Sequence, residues 1–194
     1  MSRRFPIAVF AAVLSVTAAA GQEPAFIEPG SVHQWQGLTV VSPDEAGWVL
    51  AASDGNRIVF EKRSETAVLR ASVSIIRTEI YKTGEAFFAG LEPFKEEEWR
   101  GLEVDHLHFN RMGGRGGPFL QYDAIFKLDD TASPVFRYLD LRGRLYPYKR
   151  AKGMVVQVEY SVRSGVRGFS EEQMALAEGF LAKVALPRSP ARPV

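Results

Sequence analysis

The chain contains no cysteine. That absence excludes disulfide staples, thiolate metal sites, Cys-x-x-Cys redox chemistry, a cysteine nucleophile and a lipid-modified cysteine behind a leader. Whatever fold the chain adopts is held by its core alone. Histidine is scarce, three among 194 residues, which leaves few general bases and few imidazole ligands. Net charge is thin as well, with 24 Lys and Arg against 23 Asp and Glu. A dedicated nucleic-acid binder carries a strongly basic surface, so near-neutrality argues against nucleic acid as the partner. No apolar run reaches the length of a bilayer span. Nucleophile elbows of the form Gly-x-Ser-x-Gly, zinc helices of the form His-Glu-x-x-His and carboxylate pairs in an identifiable setting are also missing. No catalytic residue and no cofactor-binding pattern can therefore be assigned.

The N-terminus is the most explicit segment. Arg3 and Arg4 form a positive start, Ile7 to Val16 a short apolar stretch, and Ala18-Ala19-Ala20 a small-residue cleavage site before Gly21. These features predict a cleaved secretory leader over residues 1–20 and a periplasmic or secreted product that does not span the membrane after cleavage. A retained anchor helix is the alternative reading, and Ser2-Arg3-Arg4 leaves twin-arginine export open beside the general route. Without residues 1–20 the balance becomes 22 basic against 23 acidic residues. Residues 21–36, rich in Pro, Gly and Gln, read as a linker, 37–186 as one domain, and 187–194 as a flexible tail.

Within the domain the pattern alternates at period two. Leu38–Val41 is a short strand stopped by Ser42-Pro43-Asp44, followed by Trp48–Leu50 and by Ile58–Glu61. Leu69, Ala71, Val73 and Ile75 alternate with Arg70, Ser72 and Ser74, as in a strand with one face on a core. Thr83 is an N-cap candidate for a helix carrying Phe87, Leu91 and Phe94, which Pro93 should divide. Glu96, Glu97 and Glu98 read as its solvated face. Four long strands follow: Leu102–Arg111, Phe119–Leu128, Val135 to about Leu145, and one carrying Met154, Val156, Val158, Tyr160 and Val162. A capping box, Ser170-Glu171-Glu172-Gln173, opens a last helix that Pro187 stops. The prediction is α+β: an antiparallel sheet of about six or seven strands with helices packed on it.

Leu38-Thr39-Val40-Val41-Ser42-Pro43 followed by Gly47-Trp48 resembles the opening of PsbP/Mog1-like domains, and the order of elements over residues 36–186 is similar to theirs. The resemblance implies an α/β/α sandwich and a non-enzymatic accessory or binding role, as in several exported members. It transfers no partner-binding residue to this chain.

Three groups of residues are candidate sites. His106 and His108 share one strand face and could grip zinc or copper, with His33, Asp105 or Asp123 as further ligands. Strand alternation, however, turns Asp105 to the opposite face, and ordinary sheet histidines are the alternative. The glycine stretch Gly113-Gly114-Arg115-Gly116-Gly117 could cradle an anion or form a partner-contacting tip, or be no more than a mobile hairpin connection. The basic cluster Arg142, Arg144, Lys149, Arg150 and Lys152, interleaved with Tyr138, Tyr146 and Tyr148, suits an acidic protein or an anionic surface. It also suits a charge-protected sheet edge. The sequence thus predicts an exported, non-catalytic binding or accessory domain acting through an unidentified protein partner or an anionic surface. A small-ligand or metal carrier of the cell envelope is the alternative.

Overall fold

The computed structural model describes residues 26–114, 117–129, 135–148 and 151–186. The expected leader, residues 21–25 and the expected tail at 187–194 lie outside the described residues. Among the described residues nine strands and two helices follow one another as β1 (Val32–Trp35), β2 (Leu38–Val41), β3 (Val49–Ser53), β4 (Arg57–Arg63), β5 (Ala67–Arg77), α1 (Gly84–Glu98), β6 (Glu103–Gly114), β7 (Gly117–Lys127), β8 (Tyr138–Pro147), β9 (Met154–Ser164) and α2 (Glu171–Lys183). Strands β3 to β9 form a seven-stranded antiparallel sheet in the order β3-β4-β5-β9-β8-β7-β6. The chain is α+β, mostly sheet, with both helices packed on it.

Strand register shows how the two faces are divided. Phe60, Ala71, Tyr160, Arg142, Asp123 and His108 lie in one row across the sheet, on what we term the first face. Glu61, Arg70, Ser161, Leu141, Ala124 and Leu107 form the neighbouring row on the second face. Ala177, Phe180 and Leu181 of α2 bury themselves against Phe60, Val158 and Tyr160 of the first face. Phe87, Leu91 and Trp99, from α1 and its C-cap, pack with Leu120, Tyr122 and Phe126 of the second. Apolar alternation in each long strand supplies both cores, because a half-buried strand buries every second residue on each side.

Both helix starts follow the expected capping. Thr83 Oγ1 accepts from the Ala86 amide at 3.1 Å. Ser170 and Gln173 close a complete capping box. Pro93, expected to divide α1, instead sits inside one continuous helix. It removes a single backbone bond, while the stripe Phe87–Leu91–Lys95–Trp99 runs past it and keeps both halves on the sheet.

Two further expectations change. The stretch read as a linker contains β1, which pairs with β2 through a turn at Gln36 and Gly37. Both turn residues have positive φ, 49° and 70°, the pattern of a two-residue hairpin that favours glycine in its second position. Trp35, Leu38 and Val40 carry this hairpin into the first-face core. The glycine stretch is mostly strand: Gly113 pairs with Pro118 and Gly114 with Gly117. Ladder pairing engages these residues, so an open cradle does not extend over them. Residues 115 and 116 lie outside the described residues.

Candidate binding site at one end of the sheet

Antiparallel order brings several connections to the same end of the sheet. Arg77 at the end of β5 pairs with Met154 at the start of β9, Pro147 at the end of β8 pairs with Val155, and β6 joins β7 beyond Gly114. Between them lies a cleft of about 390 Å³ whose walls include Ile80, Lys82, Thr83, Tyr148 and Lys152 over a floor of Phe87 and Val155.

Local chemistry shapes the cleft. The Thr78 amide donates to the Gly153 carbonyl at 2.8 Å, fastening the exit of β5 to the entry of β9. Gly153 has φ of 70°, and a Cβ there would meet the Thr78 carbonyl at 3.1 Å, so only glycine fits without strain. Tyr148 donates its hydroxyl to the Gln36 carbonyl at 2.8 Å, tying this wall to the β1–β2 turn. Tyr81 stacks edge-on against Phe87.

Charge is distributed unevenly here. Among the described residues Arg77, Lys82 and Lys152 are exposed and have no acidic partner. Lys82 and Lys152 line the cleft together with Glu79, while Arg77, the last residue of β5, falls on the first face outside its walls; most other cations are paired. Of the residues expected to bind a partner, only Lys152 is placed here by the structure. Lys149, Arg150 and Arg115 lie outside the described residues, although the described residues flanking them, Tyr148, Ala151, Gly114 and Gly117, are at this end.

Arg142 and Arg144, also expected to bind a partner, have a different setting from Lys152. They occupy the first face of β8 beside α2, with 17 % and 16 % of their side chains exposed. Arg142 Nε lies 3.1 Å from Asp123 and 2.9 Å from Glu178. The Arg144 guanidinium donates to Glu178 at 2.7 Å and to Gln121 Oε1 at 3.2 Å. Their charges are spent fastening α2 to the sheet.

His106 and His108 do share one exposed face of β6, and His108 Nε2 lies 3.1 Å from Asn110 Oδ1. His33 is remote from them, on β1 against the ring of Phe60 at 5.1 Å. Asp105 departs from the alternation used to place it. A bulge between Val104 and His106 sets Asp105 and His106 together opposite Ile125, and Asp105 accepts from Arg167 Nε at 2.5 Å. Asp123 stands opposite His108 in register. Burial pushes its carboxyl above the ordinary range, against the pull of Arg142. Among the described residues no three His, Asp or Glu side chains gather into a metal-holding group.

Sequence reasoning missed a buried polar cluster under α1. Lys95 is fully buried under α1. Its ammonium donates to Glu98 at 2.6 Å and to Gln157 Oε1 at 3.3 Å. It also lies 4.5 and 4.8 Å from the ring centres of Trp99 and Tyr122. Glu159 accepts from the Tyr122 hydroxyl at 2.5 Å and from Gln157 Nε2 at 3.0 Å. Burial raises the Glu159 carboxyl and the Lys95 charge draws it back down. The available signal was the four-residue step Phe87, Leu91, Lys95, Trp99, which places a lysine on the apolar stripe. With its ammonium enclosed, the cluster has no access to a ligand and serves to hold α1 on β9.

Among the described residues no helix is long and apolar enough to cross a membrane. In comparisons with known proteins, no family model and no curated protein matches the chain.

Proposed function

We propose that the chain is an exported, non-catalytic binding or accessory domain, a sandwich of the PsbP/Mog1-like kind. It engages an acidic protein partner or an anionic surface through the cationic end of its sheet. The observation that carries this reading is the pair Lys82 and Lys152, both exposed and without an acidic partner, in the walls of a cleft between β5, α1 and β9. Unneutralised cations on a concave surface attract anions and speed their encounter. The arrangement of α1 and α2 on opposite faces of the sheet supports the sandwich.

A small-ligand carrier is the second reading, favoured by the cleft itself. Its volume of about 390 Å³ is within the range of small-molecule sites, roughly 300–1,000 Å³. Affinity capture from the envelope fraction separates the outcomes. The double variant Lys82→Glu/Lys152→Glu, both positions exposed, should fold normally and lose the proteins that the unaltered chain retains at low salt. Equal capture by both forms would overturn the proposal.

A further inference from the structure

The two edges of the sheet are unlike. β3 has five residues, is bulged between Leu50 and Ala52, and is bridged by Phe26 at Val49. β6 has twelve residues and, among the described strands, pairs only with β7. Its outer side therefore presents a row of backbone donors and acceptors, the template for adding another strand. The side chains along it are sorted by face. His106 and His108 stand exposed on the first face. Leu107 and Phe109 lie on the second, with Val104 46 % exposed beside them.

We infer that β6 pairs antiparallel with β6 of a second copy of this chain, Leu107 lying on the two-fold axis, and that His106 and His108 of both copies form a four-imidazole site for a transition-metal ion such as Zn²⁺.

The two-fold axis stands perpendicular to the sheet, so each face continues into the same face of the second copy. With Leu107 opposite its equivalent, His106 falls opposite His108 of the second copy, and the reverse. Directly opposed residues are about 5 Å apart and residues two apart on a strand about 6.5–7 Å. Four imidazoles at the corners of that rectangle converge on one ion above its centre, where Zn–N bonds of about 2.0–2.1 Å complete a tetrahedron. One chain supplies half of such a set, and the symmetry supplies the other half.

The second face is complementary as well. The bulge at Asp105 absorbs one residue, so Val104 meets Phe109 of the second copy while Leu107 meets Leu107, apolar against apolar along the seam. On the first face Asp105 and Asp123 stand beside the histidines. Carboxylates next to ligating imidazoles orient them and favour a cation. Arg167 and Arg142 offset part of that charge through their pairs with these two acids.

The purified full chain tests this by sedimentation, first stripped of metal with EDTA and then titrated with Zn²⁺. The expected result is a monomer that becomes a dimer with one ion bound per two chains. His106→Ala and His108→Ala should each raise the zinc needed at least tenfold. Because the chain has no cysteine, a single introduced thiol reports the register. Leu107→Cys should form a disulfide dimer under mild oxidation with Zn²⁺ present and not with EDTA, since opposed strand residues lie at disulfide distance. Phe109→Cys should not. A chain that stays monomeric in excess Zn²⁺ would overturn the inference. So would zinc-driven dimers that persist in both alanine variants, or cross-linking at Phe109→Cys instead of Leu107→Cys.

Discussion

Replacing Lys95 with methionine probes the buried cluster under α1 most sharply, because methionine retains most of the apolar stem and removes only the ammonium. The lysine is fully buried, and its charge is balanced by Glu98 at 2.6 Å and by Gln157, with the faces of Trp99 and Tyr122 around it. Without it, Glu159 keeps its bonds from Tyr122 and Gln157 but loses the cation that offsets its burial. Breaking a buried pair from one side costs about 3–5 kcal/mol. Glu98 is 41 % exposed and recovers water, so its share is small. Lys95→Met should therefore cost about 3 kcal/mol, at the lower end of that range. Adding Glu159→Gln removes the stranded charge while an amide still accepts from Tyr122. The double variant should recover about 1–2 kcal/mol relative to additivity. Urea unfolding of the four proteins at pH 7 completes the cycle. A Lys95→Met protein within about 0.5 kcal/mol of the parent, the scatter of ordinary surface substitutions, would refute the reasoning. A strictly additive double variant would do the same.

Two other substitutions follow from named contacts. Asp140 is buried with Oδ1 accepting from the Gly168 amide at 2.9 Å and Oδ2 without a hydrogen-bond partner, and burial lifts its carboxyl from the ordinary 3.8 to about 6. The folded state thus holds this proton more tightly than the unfolded chain. Its contribution is full below the ordinary value and lost as pH rises to about 6, a fall of about 3 kcal/mol. Asp140→Asn should flatten that slope and stabilise the protein at pH 7 by about 1–2 kcal/mol, read by urea unfolding from pH 4 to 7; an unchanged slope would contradict the assignment. Gly143 faces the ring and hydroxyl of fully buried Tyr122, where an added Cβ would collide. Gly143→Ala should cost about 3 kcal/mol in the same assay, and a neutral result would show that Tyr122 has room to move.

Much of the fold was legible because its strands alternate strictly and its helices begin with recognisable caps. Leu120, Tyr122, Ala124 and Phe126 are buried as their spacing required, and Ser170–Gln173 caps α2 as read. β1 escaped because its four residues sit in a Pro-, Gly- and Gln-rich context, although Gln36-Gly37 before Leu38 carried the signal of a tight hairpin. Asp105 was misplaced because period two holds only without a bulge, and a bulge leaves no mark in composition. Arg142 and Arg144 were grouped with Lys149, Arg150 and Lys152 by nearness in sequence, yet β8 carries the first two under α2. Only the strand end delivers Lys152 to the cleft. The cleft itself was invisible, since it is assembled from segments around residues 80, 118 and 152 whose meeting depends on strand order.

Hydrogen exchange of the chain alone and bound to the partner captured from the envelope fraction tests the cationic end most directly. Protection on binding should be concentrated in residues 77–84 and 151–155, with α2 and β3 unchanged, and it should vanish at high salt. Salt-insensitive protection centred on α2 or β3, with residues 77–84 and 151–155 exchanging as in the free chain, would contradict it.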